Sequence, residues 1–137
     1  MSFVNASNLP RHVKPIMEEY GLRVETKAEY DDVYSAETGL HETILLGKKG
    51  SAEPFNIYVK RGLRAQTAVL YFGTVLRHAE KENVKPLCIS DRIVGSVADL
   101  ARRMKVPYAD LSGNAWIPGE NFLVFVEGKA KKKLGRQ

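Results

Sequence analysis

Apolar residues recur along the chain at two spacings, and these predict alternating helices and strands. Between Pro10 and Tyr20 they lie three and four positions apart, as on one face of a helix. From Leu22 to Tyr30 apolar and charged residues alternate, which is typical of a strand with one face in water. After a stretch of polar and turn-forming residues at 31–39, two more strands are predicted at Glu42–Leu46 and Phe55–Lys60.

The second half of the chain again changes between helical and strand spacing. A long helix is predicted at Leu63–Lys81 and a short buried strand at Leu87–Ile89. An amphipathic helix follows, with an apolar face over residues 93–104 and a predicted N-terminal cap at Ser90 or Asp91. Three final strands are predicted at Tyr108–Leu111, Ala115–Ile117 and Phe122–Val126.

The predicted element order is αβββαβ followed by αβββ. Three consecutive strands favour an antiparallel meander, and the strand at Leu87–Ile89 follows a crossover helix, so it should run parallel to a meander strand. We therefore expect an α/β (α+β) fold in which helices flank a mixed β-sheet. The predicted organisation is one domain over residues 1–128 and a basic C-terminal tail over 129–137.

The net charge of +5 comes from the end of the chain. The basic residues there, without any acid among them, are Lys129, Lys131, Lys132, Lys133 and Arg136. Such a tail can bind a polyphosphate with strong salt dependence, or it can serve only to keep the chain soluble.

Other sequence features predict a cytoplasmic protein. No run of about eighteen apolar residues is present, and the N-terminus lacks the pattern of a secretion signal. The single cysteine, Cys88, lies within an apolar strand, which indicates a buried and unreactive thiol in a reducing compartment. The histidines are dispersed without metal-ligand spacing, so no metal site is predicted.

The order αβββαβ resembles the core of the PD-(D/E)XK nuclease-like superfamily. In that family an acid on the second strand and an acid-x-lysine on the third hold a divalent cation, usually magnesium, beside the scissile phosphate. Glu42 and Lys60 match the first acid and the lysine, but Tyr58 stands where the second acid belongs. The resemblance implies a scaffold whose catalytic residues Glu42 and Lys60 are vestigial.

A second resemblance covers residues 86–128. Three segments resemble the AbiEi-type antitoxins of type IV toxin–antitoxin systems: Pro86–Ser90, Val97–Ile117 and Leu123–Lys129. The resemblance is carried by two sequence motifs within them, Tyr-Ala-Asp-Leu-Ser-Gly-Asn-Ala-Trp and Val-Glu-Gly-Lys. Members typically add an N-terminal winged helix-turn-helix. Only about twenty residues precede the first predicted strand, so the resemblance does not imply operator recognition here.

Asp110 and Asn114, which lie within the first of these motifs, have two interpretations. Gly113-Asn114 can supply the positive φ angles of a tight hairpin, with Asp110 accepting from the amides of the turn. Alternatively, the two side chains flank a binding groove beside the edge of the sheet.

Basic residues outside the tail suggest a nucleic-acid surface. Lys48 and Lys49 at one turn, with Lys60, Arg61 and Arg64 before the long helix, are expected to share one rim of the sheet. The alternative is scattered charge that only aids solubility.

We therefore interpret the sequence as a nucleic-acid-binding or regulatory protein, with DNA as the favoured ligand, on an eroded nuclease-like scaffold. The predicted phosphate contacts are Lys48, Lys49, Lys60, Arg61, Arg64, Lys131, Lys132 and Lys133. One alternative is an endonuclease that uses Glu42, Lys60 and magnesium; no other cofactor is expected. Another is a protein-interaction module that binds a toxin or another partner. A homodimer is a separate expectation.

Overall fold

The computed structural model of this protein describes residues 8–129, which form four helices and one seven-stranded sheet. The helices are α1 (Leu9–Glu19), α2 (Asp32–Thr38), α3 (Ala65–Glu82) and α4 (Gly95–Arg103). The strands are β1 (Arg23–Glu29), β2 (Leu40–Gly47), β3 (Glu53–Val59), β4 (Lys85–Ser90), β5 (Tyr108–Asp110), β6 (Ala115–Pro118) and β7 (Leu123–Val126). The predicted α/β class is confirmed. None of these helices is both long enough and apolar enough to cross a bilayer.

The strands lie side by side in the order in which they occur along the chain. β1, β2 and β3 form the predicted antiparallel meander. β3, β4 and β5 run parallel because α3 and α4 carry the chain back across the sheet between them. The last two pairings, β5 with β6 and β6 with β7, are antiparallel again.

Each face of the sheet has its own apolar core. Leu9, Val13 and Met17 of α1 pack on one face, against a cluster that includes Phe55 and Ile57 of β3. On the opposite face α3 and α4 pack against Tyr58 and other strand residues. Successive side chains of a strand point to opposite faces, so neighbouring residues of β3 belong to different layers. This alternation decides which polar residues can meet.

The helix α2 differs from the predicted turns at residues 31–39. The Asp31 carboxylate accepts from the Tyr34 N–H at 2.8 Å and caps the helix, which Gly39 ends in a left-handed conformation. None of the residues of α2 is fully buried, so apolar spacing gave no signal, and the cap and the glycine were interpreted as turn formers.

The predicted cap of α4 is also wrong. The helix begins at Gly95, with Val94 at the N-cap position and no side-chain cap. Ser90 and Asp91 belong to the end of β4 and the loop after it, where the Asp91 carboxylate accepts from the Gly62 N–H at 2.9 Å. Asp91 thus joins two loops instead of beginning a helix.

Candidate nucleic-acid interface

Glu42 lies on the face of the sheet that α1 covers, and its charge is paired there. Only 3% of the residue is exposed. Its Oε1 atom accepts from Lys14 Nζ at 2.7 Å and from Thr26 Oγ1 at 3.1 Å, and His41 Nδ1 lies 3.4 Å from Oε2. No local sequence signal indicates Lys14 as the partner of Glu42, because 28 residues separate the two.

This ion pair forms part of the lining of a cleft of about 530 Å³ between α1 and the first two strands. Burial alone would raise the pKa of Glu42, but the bonds from His41, Lys14 and Thr26 and the charge of Lys14 outweigh burial and lower that pKa. The carboxylate therefore stays ionised, and its shortest contact is with a cation of the protein itself.

The register of the sheet separates Glu42 from Lys60. Glu42 is paired with Ile57 in β3, and Ile57 and Val59 pack with the core on the α1 side. Tyr58 belongs to the other core, and Lys60 follows it in the same alternation, just beyond the end of the strand. Within residues 8–129 no hydrogen bond or ion pair joins Glu42 to Lys60. The fold therefore does not bring the two predicted catalytic residues together.

Tyr58 is a structural residue of the core. It is fully buried, and its hydroxyl forms a 2.7 Å hydrogen bond with His78 Nδ1 of α3. Burial raises the pKa of Tyr58 far above its usual value, so the phenol stays protonated. The position that an acid occupies in the nuclease pattern thus holds a neutral side chain that attaches β3 to α3.

Lys60, Arg61 and Arg64 lie at the end of β3 and the start of α3, and Arg92 follows β4 at the same edge of the sheet. We call these four residues the basic rim. All four are exposed, and none forms an ion pair with an acid within the described chain. The Lys60 N–H donates to the Ile89 carbonyl at 3.0 Å, which holds the two strand ends side by side. Arg92 is not among the predicted phosphate contacts, although its position directly after a parallel strand could have indicated it.

Asp91 organises the backbone beneath the basic rim. Burial alone would raise its pKa, but hydrogen bonds from the Gly62 N–H and Ser90 Oγ, with a smaller effect of Arg61, lower it. The carboxylate ties the loop after β3 to the loop after β4. The cleft between these loops, of about 340 Å³, is lined by Gly62, Leu63, Arg64, Asp91, Arg92, Val94 and Val97.

Lys48 and Lys49 do not belong to the basic rim. They occupy the turn between β2 and β3, next to the beginning of β3, whereas Lys60 follows the end of that strand. A strand of this length spans about 20 Å. The prediction that the two clusters share one rim is therefore wrong: they lie at opposite ends of the sheet.

Asp110 is fully buried, and backbone and side-chain donors surround it. Its carboxylate accepts from the N–H groups of Ile93, Ser112 and Asn114 at 2.9 Å each, and from Asn114 Nδ2 at 3.0 Å. The structural interpretation of this residue, as an acceptor for the amides of the turn, is confirmed. Gly113 has the positive φ of the hairpin, +96°, but Asn114 does not, so that part of the prediction is wrong.

Two further predictions concern Cys88 and the tail. Cys88 is buried, as predicted, and burial raises the pKa of its thiol to about 12, although the nearby Tyr71 opposes the rise. Lys131, Lys132 and Lys133 lie outside the described residues.

From residue 8 to residue 129, no group of three or more His, Cys, Asp or Glu side chains is arranged to hold a metal ion.

Comparisons of the chain with protein-family models, with curated proteins and with solved structures gave no match. The PD-(D/E)XK and AbiEi-type resemblances therefore stay predictions.

Proposed function

We propose that this protein binds nucleic acid through the basic rim, by contacts to phosphates and not by reading bases. One observation carries the proposal. Four exposed cations from two separate loops meet at one edge of the sheet, and within residues 8–129 no acid forms an ion pair with any of them. Cations that a fold brings together without a salt bridge to an acid favour an anionic ligand.

The backbone around the basic rim adds to this preference. α3 and α4 both begin at this edge, and neither has a side-chain cap on its N-terminus. Helix N-termini carry a partial positive charge and N–H groups that can donate to phosphate oxygens. The three arginines can each contact a phosphate through two N–H groups, which suits a polyphosphate better than a single anion.

The geometry around Glu42 supports binding over cleavage. Lys14 and Thr26 already donate to its carboxylate, and the neighbouring positions on the same face of β3 are apolar. A divalent cation would have to displace Lys14 and find further oxygen ligands elsewhere. The favoured role is therefore that of a regulatory or accessory protein on a non-catalytic scaffold, in the cytoplasm and with DNA as the first ligand to test.

The AbiEi-like motif at residues 108–116 has a structural role. Asp110 and Asn114 hold loops together, and Trp116 packs against the core on the side of α3 and α4. Because this accounts for the most specific residues of the resemblance, an antitoxin role has no separate support, and a toxin partner becomes an outcome of the experiment below.

The experiment is a fluorescence anisotropy titration with labelled single-stranded and duplex DNA and with RNA of the same sequence, at about 50 and about 200 mM salt. The rim variant is Arg61→Gln/Arg64→Gln/Arg92→Gln. The control, Arg23→Gln/Lys48→Gln/Lys49→Gln, makes the same charge change with exposed residues at the opposite end of the sheet. We expect the rim variant to bind duplex DNA about 100-fold more weakly at low salt. The salt slope, which is the slope of the logarithm of the binding constant against the logarithm of the salt concentration, should become shallower by about three units.

The control variant should lose less than about threefold, which is the effect of net charge at a distance. Equal losses in both variants would contradict a localised interface. Cleavage of the oligonucleotide that requires magnesium and disappears in Glu42→Gln would favour the endonuclease alternative. Absence of binding to all three ligands would overturn the proposal and favour a protein partner.

A further inference from the structure

The strand β7 is one of the two outer strands of the sheet, and its outer edge is apolar. Among the described strands it pairs only with β6, and its four residues, Leu123–Val126, carry no charge. Leu123 and Phe125 expose 66% and 51% of their surface. Both lie on the face that carries Trp116 of β6 and Arg102 of α4, whose guanidinium carbon is 5.2 Å from the centre of the Phe125 ring. We call the strand Leu123–Val126, with its exposed side, the β7 edge.

The backbone of the β7 edge can pair with a further strand. The Gly119 N–H donates to the Phe122 carbonyl at 2.9 Å, so the backbone groups of Phe122 point towards β6. In an antiparallel pair this direction alternates from one residue to the next. The N–H and C=O groups of Leu123 and Phe125 therefore point away from β6, where none of the strands within residues 8–129 lies.

The outer strand on the other side of the sheet, β1, is protected against such pairing. Exposed charged residues alternate along it, and a β-bulge interrupts its register between Thr26 and Ala28. Charges and bulges are features by which proteins keep outer strands from pairing with other chains. The β7 edge has neither a charge nor a bulge. The fold thus blocks one edge of its sheet and leaves the other suited to strand pairing.

We infer that the β7 edge binds the β7 edge of a second copy of this chain, antiparallel, about a two-fold axis at Val124. Because β1 is charged and bulged, the matching edge for an uncharged apolar strand is β7 itself. In this register Leu123 lies opposite Phe125 of the second copy, and Phe125 opposite its Leu123. These are the residues whose backbone groups point outward, so each pair exchanges both of its N–H to C=O hydrogen bonds.

The side chains agree with this register. Leu123 and Phe125 of the two copies cover each other on one face, which removes exposed apolar surface from water. Glu127 lies opposite Asn121 of the second copy, so no like charges face each other across the join. The contact is short, with four residues of strand from each copy, and is therefore smaller than a standard interface. We expect a weak dimer, with a Kd on the order of 10 µM.

The first measurement is sedimentation equilibrium of the full chain from about 1 to about 200 µM, a range that brackets this Kd. We expect a single monomer–dimer equilibrium. Because the join carries no charged pair, the Kd should change less than about threefold between about 50 and about 500 mM salt. Nucleic-acid binding, in contrast, weakens steeply with salt.

The edge variant is Leu123→Glu/Phe125→Glu, which brings carboxylates of both copies together along the join and should weaken the dimer at least about tenfold. Within one copy Arg102 lies beside position 125, so the new charge there gains a partner and the fold is kept. The control, Val69→Glu/Leu70→Glu, makes the same change with exposed apolar residues of α3 and should alter the Kd less than about twofold. The midpoint of urea unfolding shows that both variants are folded.

A third variant, Leu123→Lys/Phe125→Glu, tests the register. With the axis at Val124, each new lysine lies opposite a new glutamate of the other copy. The dimer should therefore regain most of the affinity that the edge variant loses, to within about threefold of the unchanged chain, and it should now weaken with salt.

Three results would overturn the inference. A chain that stays monomeric over the whole concentration range excludes a second copy as the partner of the β7 edge. A dimer that persists in the edge variant uses another surface. If Leu123→Lys/Phe125→Glu associates as weakly as the edge variant, the axis does not lie at Val124. None of these measurements involves nucleic acid, so their failure leaves the proposed function as it stands.

Discussion

Two regions of this molecule, the Glu42 cleft and the basic rim, treat charge in opposite ways. In the cleft a buried carboxylate is bound to Lys14 and Thr26, so that the fold neutralises its own charge. At the basic rim Lys60, Arg61, Arg64 and Arg92 are exposed and form no ion pair within the described chain. The first arrangement compensates a buried charge within the fold, whereas the second leaves charge available for a ligand.

The difference shows why a motif residue has to be judged by its partners. Glu42 lies on β2 and Lys60 directly after β3, as the acid and the lysine of a nuclease follow one another, yet the alternation along β3 assigns them to different faces of the sheet. A shift of one position along β3 moves a side chain to the other face of the sheet.

The largest expected effect is on Tyr58→Glu, which restores the acid-x-lysine pattern. The new carboxylate would lie in the core between β3 and α3, away from Glu42, so we expect a loss of about 4 kcal/mol or more in the free energy of unfolding. Tyr58→Phe, the control, removes only the bond to His78 and should cost about 1 kcal/mol. Urea denaturation measures both. A stable Tyr58→Glu protein that cleaves DNA with magnesium would contradict the assigned faces.

The next effect concerns the Glu42 cleft. Lys14→Met leaves a buried carboxylate without its cation and should lower the free energy of unfolding by about 3 kcal/mol. In the double variant Lys14→Met/Glu42→Leu the charge is absent, and most of that loss should be recovered. Thermal and urea unfolding of the single and double variants give the coupling free energy between Lys14 and Glu42. Purely additive losses would mean that the pair does not interact.

A smaller effect is expected for a single residue of the basic rim. Arg92→Gln should weaken DNA binding about threefold to tenfold and lower the salt slope by about one unit, because one phosphate contact is lost. Its free energy of unfolding should change by less than about 0.5 kcal/mol, since the side chain is exposed. Arg23→Gln, at the other end of the sheet, is the matched control. Similar losses in both variants would argue against a role for Arg92.

The smallest expected effect is the dependence of the free energy of unfolding on pH. The pKa values of Glu42 and Asp91 are both lowered in the folded state, from 4.5 and 3.8, so the unfolded chain binds protons more readily. Their stabilisation is complete above the unfolded values and is lost as the pH falls below about 4 through the folded ones. The urea concentration at the midpoint of unfolding should decrease as the pH is lowered from about 6 to about 3. In Lys14→Met the contribution of Glu42 to this fall should shrink or change sign.

How much of the fold could be predicted from the sequence depends on where the signal lies. Strand alternation and helical spacing are local, and they predicted α1, α3 and every strand of the sheet to within a few residues. The helix α2 gave no such signal because none of its residues is fully buried. The cap of α4 was misplaced because Asp91 accepts from Gly62, which is 29 residues away.

The candidate site shows the same division. The sequence by itself determined which residues are charged, that the tail is basic, and that Asp110 would accept from its own turn, since all of these depend on composition or on neighbours in the chain. Only the tertiary structure decided that Lys14 neutralises Glu42, that Arg92 joins Lys60, Arg61 and Arg64, and that Lys48 and Lys49 lie at the far end. The physical reason is that strand register and crossover direction, which no short segment encodes, determine which distant charges meet.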